Sequence, residues 1–245
     1  MNAENPLASQ PIPGQLNAAE RSFITKTIIE APVRPKIALE IGTWLGGGST
    51  LHILRALHQN GTGHLWGVEA KKNIYEKMLA NIRAGAPEAS ARFTPLFGFS
   101  TQVLPEWLKS RPTGEEIDFV FLDGGDSPRE QVEEFELLAD HIRIGGVLMA
   151  HDANTRKGKW FVPYLSLLDN WQTEVFNLSA DGIVRSYKTK PQPSAASRES
   201  ARRKFKRLQL EPKEFIARLL PSRINGMILK ALPQGWKRKL TVGTN

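Results

Sequence analysis

The sequence predicts an α/β protein with a doubly wound, mostly parallel sheet of seven strands, an antiparallel C-terminal hairpin and a basic C-terminal extension. Five apolar segments of strand length alternate with segments of helical periodicity, a pattern typical of parallel sheets built from β-α units. Two further strand-like segments are joined through Asp181 and Gly182, which are typical of a tight hairpin turn.

The composition predicts one α/β domain of ordinary size, because 245 residues with 40% hydrophobic content can build a substantial core. The chain has no cysteine, which excludes disulfides, thiolate metal sites and cysteine nucleophiles. The N-terminus lacks the features of a signal peptide, and no apolar run approaches the ~20 residues of a membrane span. We therefore expect a cytoplasmic protein.

Three segments are predicted: an arm and covering helix over residues 1–35, a ligand-binding domain over 36–190, and a basic extension over 191–245. The net charge of +8 is uneven, since residues 1–185 hold 18 Lys and Arg against 22 Asp and Glu. Residues 186–245 hold 15 against 3. The positive charge therefore belongs to the extension.

The covering helix is predicted to begin at Asn17, with a reciprocal cap from Glu20. Its apolar stripe consists of Phe23, Ile24, Ile28 and Ile29. Pro32 and Pro35 end the helix and lead into the first strand.

A glycine-rich turn follows the first strand, residues 37–41. Its glycines are Gly42, Gly46, Gly47 and Gly48. Glycine permits positive φ and close approach of the backbone to a ligand, and Ser49 or Thr50 is predicted to cap the following helix. Such a turn is typical of a site for a nucleotide-like ligand.

Glu69 stands 21 residues after Gly48, at the end of the second strand. An acid at this place accepts hydrogen bonds from both ribose hydroxyls of a bound nucleoside. The glycine spacing does not fit the dinucleotide motif G-x-G-x-x-G, because three other residues separate Gly42 from Gly46.

The remaining elements are predicted from apolar periodicity. Helices are expected along Leu51, Leu54 and Leu57, along Ile74, Met78 and Ile82, and over residues 102–108, 128–141 and 160–168. Strands are expected over residues 92–96, 117–122, 147–150, 173–178 and 183–187. Glu130, Glu133, Glu134 and Glu136 are expected on the outer face of their helix. Gly145 and Gly146 are expected to turn into the fifth strand, and residues 191–200 to form a linker.

Polar side chains follow the fourth and fifth strands. Asp123 and Asp126 come after the fourth, and His151, Asp152 and Asn154 after the fifth. Parallel strands bring their carboxyl ends to one edge, so His151 is a candidate general base oriented by Asp152 or Asp126. Asp126 and Asn154 also fit a purely loop-stabilising role.

Two motifs carry a resemblance to a known family. Glu40, Gly42 and Gly46 form E-x-G-x-x-x-G, which resembles motif I of the class I methyltransferases that use S-adenosylmethionine. IDFVFLDGGDS, followed by Gly-Gly and VLMAHD, is similar to the small-molecule O-methyltransferases, in the branch with sugar and macrolide methyltransferases and cephalosporin hydroxylase-like relatives. The resemblance spans residues 36–187 and implies a Rossmann-like fold.

The resemblance also implies a donor and a reaction, namely S-adenosylmethionine and O-methylation of a hydroxyl on a small molecule or sugar. The implied cofactor-binding residues are Glu40, Gly42, Thr43, Trp44, Gly46, Ser49, Glu69, Ser100 and Asp123. In metal-dependent relatives, an acid after the fourth strand and two adjacent ligands after the fifth hold a divalent cation such as Mg²⁺. Asp123, His151 and Asp152 occupy these positions, but histidine is a softer ligand than Mg²⁺ prefers. A metal site and a metal-free base both stay open.

Two other functions are weighed against this one. A nucleic-acid methyltransferase would usually carry an Asn/Asp-Pro-Pro-Tyr-like motif after the fourth strand, and the sequence has none there. A non-catalytic binding module is disfavoured by the intact Glu40, Gly42 and Glu69. The extension fits a solvated tail, an amphipathic segment on an anionic membrane surface, or an RNA contact. Whether the chain forms a homo-oligomer stays open.

Overall fold

The computed structural model describes residues 12–125 and 127–209. Seven strands form one sheet in the order β3-β2-β1-β4-β5-β7-β6. The strands are β1 Ile37–Ile41, β2 His64–Glu69, β3 Phe93–Phe97, β4 Ile117–Leu122, β5 Ile142–His151, β6 Trp171–Phe176 and β7 Ile183–Lys188. The helices are α1 Ala18–Ile29, α2 Thr50–Gln59, α3 Lys72–Gly85, α4 Ser100–Ser110, α5 Pro128–Leu138, α6 Gly158–Ser166 and α7 Ala195–Gln209.

The predicted fold class is confirmed. Strands β1 to β5 pair in parallel, and β7 lies antiparallel between β5 and β6. The strand order reverses between β1 and β4, so the crevice outside their carboxyl ends is where a doubly wound sheet binds its ligand.

Apolar side chains cover both faces of the sheet. On one face, α1, α2 and α3 bury Ile24, Leu54 and Met78 against the strands. On the other face, the core includes Phe135 of α5 and Phe161 of α6. Burial on both faces explains why the inner strands read as continuous apolar runs.

The cap of α1 has the predicted geometry. The side chain of Asn17 accepts a 2.9 Å hydrogen bond from the backbone N–H of Glu20, and the Asn17 N–H donates to the Glu20 carboxylate at 2.9 Å. This reciprocal pair fixes where the helix begins, and with it the position of Glu20 above the sheet edge.

Two sequence predictions for β5 and α5 are wrong. Gly145 and Gly146 lie inside β5, where the pairing with β4 shifts register, instead of forming a turn before the strand. A glycine pair in a strand is compatible with such a bulge. Glu134 is not on the outer face of α5, since only 2% of it is exposed.

The C-terminal part of the described chain also differs from the prediction. Residues 191–200 are not all linker, because α7 begins at Ala195. Helix α7 packs on α6, where the ring of Phe205 contacts those of Trp160 and Tyr164 at 5.7 and 5.8 Å between centroids. The amphipathic segment lies in residues 210–245, outside the described residues, so its membrane and RNA contacts stay predictions. Within residues 12–125 and 127–209, no helix has the length and apolar character to span a membrane.

Candidate active site

The candidate site lies along the carboxyl ends of β1, β2, β4 and β5. The glycine-rich turn follows β1, Glu69 ends β2, Asp123 follows β4, and His151 ends β5. Hydrogen bonds and ion pairs connect these residues, so the structure brings most of the predicted site residues to one edge.

The glycine turn follows a path that few side chains would allow. Gly42 and Gly46 have φ values of 90° and 87°, and Trp44 has φ 46°. A Cβ on Gly42 would lie 2.4 Å from the backbone oxygen of Asp123. Gly42 is therefore required by its own backbone conformation and by the close passage of the segment after β4.

The N-terminal arm covers one side of the glycine turn. The N–H of Gly47 donates to the carbonyl of Pro13 at 3.2 Å, and a Cβ on Gly47 would meet the carbonyl oxygen of Ile12 at 2.1 Å. Gly47 is thus explained by contact with the arm. No sequence signal pointed to this contact, because residues 1–16 carry no periodic pattern.

The predicted caps of α2 are wrong. The Ser49 hydroxyl donates to the Glu40 carboxylate, and the Thr50 hydroxyl donates to the Thr43 carbonyl at 3.4 Å. Neither side chain caps α2, so the first amides of the helix have no side-chain acceptor at that end. Such amides attract anionic or electron-rich groups.

Glu40 is completely buried. One of its carboxyl oxygens accepts from Ser49, and the other has no hydrogen-bond partner among the described residues. Burial raises the pKa of Glu40 to about 8, against the opposing effect of the Ser49 hydrogen bond. Without a ligand, the raised pKa favours the neutral carboxyl at pH 7, and one of its oxygens has no partner among the described residues.

Glu69 lies next to the glycine turn. Its carboxylate accepts a hydrogen bond from the Trp44 N–H at 3.1 Å, and its other oxygen accepts from the Lys71 N–H at 2.9 Å. Since each carboxylate oxygen has two lone pairs, both can accept further hydrogen bonds. The spatial relation of turn and acid is as the spacing predicted.

Ser100 begins α4 and contacts a residue of α5. Its hydroxyl donates to the Glu134 carboxyl at 2.6 Å. Burial raises the pKa of Glu134 to about 7, although the Ser100 hydrogen bond opposes the shift. Two aromatic rings, Phe97 and Phe99, flank this position and are 50% and 64% exposed. They offer apolar surface beside the place predicted for the ligand's base.

His151 is surrounded by carboxylates. Its Nε2 lies 3.1 Å from Glu20 Oε1, and its Nδ1 lies 3.5 Å from Oδ1 of Asp123 and from Oδ1 of Asp152. Burial acts to lower the pKa of His151, but the hydrogen bond to Asp123 and these negative charges outweigh it and raise the pKa to about 9. The imidazolium form is therefore favoured at neutral pH.

The pKa of the neighbouring Asp123 is raised as well, so both groups favour their protonated forms. Burial raises the pKa of Asp123, whereas the hydrogen bond and charge of His151 lower it. We place the proton on His151, because its ring contacts Glu20 and Asp152 in addition to Asp123. The predicted general base therefore rests in its acid form. Its role in catalysis stays a prediction.

The metal site suggested by the sequence is already occupied by a side-chain cation. Asp123, His151 and Asp152 place one ligand atom each within 4.8 Å of one another. However, Nζ of Lys157 lies 2.5 Å from Asp152 Oδ2 and 3.7 Å from Asp123 Oδ1. A divalent cation would require this ammonium to leave. These residues, as arranged, do not fit a bound metal.

Asp152 and Asn154 differ in what they contact. Asp152 has φ 67°, an uncommon conformation for a residue with a side chain, and its carboxylate faces Lys157 and His151. Asn154 donates instead to the Asn177 side chain at 2.9 Å, which fits the loop-stabilising alternative. Asp126, the third predicted catalytic residue, lies outside the described residues.

Three side chains of this site were missed by sequence reasoning. Glu20 was read only as part of a helix cap, Glu134 was placed on an outer face, and Lys157 was not singled out. Glu20 and Glu134 reach their partners across 131 and 34 residues of sequence, and no local pattern signals such contacts.

One family model matches part of the chain. The family model described as "Methyltransferase domain" matches residues 39–153, from β1 to the residue after Asp152. No curated protein matches the chain.

Solved structures share the fold. The O-methyltransferase TomG of Streptomyces achromogenes, involved in tomaymycin synthesis and solved with SAM, is 20% identical with a TM-score of 0.60. The alignment covers 72% of this chain and 82% of that one. The O-methyltransferase of Bacillus cereus, solved with SAH, is 19% identical with a TM-score of 0.60, over 71% and 83% of the two chains. At these identities the likeness shows the fold.

Proposed function

We propose that this chain, whose residues 39–153 match a family model of methyltransferase domains, transfers a methyl group from S-adenosylmethionine to a hydroxyl of a small molecule or sugar. One observation carries the donor assignment. The Glu69 carboxylate accepts a hydrogen bond from the backbone of the glycine turn, at Trp44, so an acid for ribose and a turn for the rest of the donor lie side by side.

The residues of the turn fit such a donor. Glu69 would accept hydrogen bonds from the ribose hydroxyls, and the turn from Gly42 to Gly46 would approach the amino acid part of the donor. Ser100 would lie at the adenine. The oxygen of Glu40 that has no partner among the described residues would be satisfied by a cationic group.

S-Adenosylmethionine supplies an activated methyl group on a sulfonium. The protein has to align the acceptor oxygen with that methyl and to take up the hydroxyl proton. We assign the proton to Asp152, because His151 already carries one. As the proton leaves, the oxygen forms a bond to the methyl carbon, the sulfur–carbon bond breaks, and its electron pair stays on sulfur.

The other candidate functions lack support in the described residues. Glu40, Gly42 and Glu69 stand together as a donor site requires, which a scaffold without chemistry would not need. A nucleic-acid acceptor would rely on the extension, most of which lies in residues 210–245.

The proposed function is tested by donor binding and by methyl transfer. Calorimetry with S-adenosylhomocysteine should give saturable heat with 1:1 stoichiometry. The purified protein should then move label from methyl-labelled S-adenosylmethionine into the small-molecule fraction of a cell extract. Absence of heat would refute the donor assignment. If the donor binds but the label appears only in RNA, the acceptor is a nucleic acid and not a small molecule.

Donor binding is expected to release a proton from Glu40. With a free-state pKa of about 8, Glu40 is mostly protonated at pH 7, and a cationic group beside it would favour the carboxylate. Close to one proton should be released at pH 7 and almost none at pH 9.5. Affinity for S-adenosylmethionine should accordingly rise with pH up to about 8 and then level off.

The proton count follows from calorimetry in buffers of different ionisation enthalpy. Glu40→Gln is the matched control, since it keeps the shape and a hydrogen-bond acceptor for Ser49 but cannot ionise. In this variant the binding enthalpy should not depend on the buffer. A buffer dependence equal to that of the wild type would assign the proton to another group.

A further inference from the structure

Lys157 immediately precedes α6, and its side chain returns to the end of the sheet. Its ammonium lies 2.5 Å from Asp152 Oδ2, 3.7 Å from Asp123 Oδ1 and 3.3 Å from the carbonyl oxygen of Gly124. The side chain is only 12% exposed. A buried cation therefore contacts oxygen atoms from the ends of both β4 and β5.

These oxygens belong to the cluster that would otherwise hold a divalent cation. Carboxylates converging from two strand ends repel each other in a poorly hydrated site unless a positive charge lies between them. A metal ion can supply that charge, and so can an ammonium. In this chain the ammonium of Lys157 and the imidazolium of His151 both belong to the protein, so the cluster is neutralised without a bound ion.

We propose that Lys157 takes the place of a divalent cation at this site, where its ammonium binds the acceptor oxygen and makes methyl transfer independent of metal. The role of the ammonium in methyl transfer rests on the proposed function. The exclusion of metal by Lys157 does not depend on that function. An ammonium beside the acceptor oxygen stabilises the negative charge that develops as the hydroxyl proton passes to Asp152.

The geometry predicts a gain of metal binding when the charge is removed. Lys157→Met keeps the aliphatic stem but leaves Asp123, His151 and Asp152 without the ammonium. Mn²⁺ binding, followed by the paramagnetic resonance signal of the free ion, should be at least about tenfold tighter in this variant than in the wild type. Lys157→Arg, which retains the charge, should show no such gain.

Two further variants identify the site of the gained binding. Lys157→Gln is a second neutral variant and should reproduce the gain if the methionine variant folds poorly, as judged by circular dichroism and thermal melting. Asp152→Asn added to Lys157→Met should remove it. The proposal is overturned if the wild type binds Mn²⁺ as tightly as both neutral variants, or if no folded neutral variant gains affinity.

Activity gives the second readout. Wild-type methyl transfer should be unaffected by a chelator, and Lys157→Met should be strongly impaired and partly restored by Mn²⁺. Loss of wild-type activity on chelation would overturn the metal-free mechanism. Mn²⁺ binding is measured without a methyl donor. It therefore tests the exclusion of metal by Lys157 even if the protein proves not to be a methyltransferase.

Discussion

Replacing Gly42 with alanine is expected to lower the free energy of unfolding by about 3 kcal/mol or more. Two costs coincide at this position. The backbone has φ 90°, where a side chain is strained, and the new Cβ would lie 2.4 Å from the Asp123 carbonyl oxygen. Backbone atoms cannot move aside as a flexible side chain can, so the β1 turn or the β4 segment must shift. Urea unfolding followed by circular dichroism would measure the loss.

Gly61→Ala separates the two costs. Gly61 also has positive φ, at 71°, but a Cβ there would meet nothing within 4 Å. This variant should lose only about 1 kcal/mol, the cost of backbone strain alone. Equal losses at Gly42 and Gly61 would mean that the approach of Asp123 does not constrain the turn. Donor binding should disappear in Gly42→Ala and survive in Gly61→Ala.

The fold was predictable because its signals are local and repeated. Apolar strands that end at Glu69 or just before Gly42 and Asp123 mark the carboxyl edge of the sheet, and parallel pairing brings these ends together. The capping box at Asn17 is equally local, since all its atoms lie within one helical turn. Such features are fixed by short-range chemistry.

The chemistry inside the site was less predictable, because it depends on contacts that cross the fold. The sequence predicted Ser49 as a helix cap, but its hydroxyl donates its hydrogen bond to the buried Glu40 instead. His151 looked like a base, but α1 places Glu20 against its Nε2. A side chain's neighbours decide its protonation state, and those neighbours come from distant segments.

Lys157 illustrates the same limit. Sequence alone placed Asp123, His151 and Asp152 together and left a metal ion and a metal-free base as alternatives. What separates them is a lysine five residues after Asp152, whose role depends on the turn before α6 folding back on the sheet edge. A lysine before a helix gives no pattern from which that contact could be inferred.

Replacing Glu69 with alanine should weaken binding of S-adenosylmethionine by about 1 to 3 kcal/mol, or roughly 5-fold to 150-fold in Kd. The change removes the proposed acceptor for the ribose hydroxyls. It also removes the acceptor for the N–H groups of Trp44 and Lys71, which hold the turn beside β2. Both effects act on the same ligand, so binding should suffer more than stability.

Two control variants test the origin of that loss. Glu76→Ala removes an exposed acid from α3, close in sequence, and should leave Kd unchanged within about twofold if net charge is not the cause.

Glu69→Gln keeps one acceptor oxygen, so its Kd should fall between those of Glu69→Ala and the wild type. Because ribose would present two hydroxyl donors and a glutamine has a single acceptor oxygen, the glutamine variant should bind adenosine analogues lacking one ribose hydroxyl with a smaller relative penalty. Wild-type affinity in Glu69→Ala would place the ribose elsewhere and would remove the main support for the methyl donor.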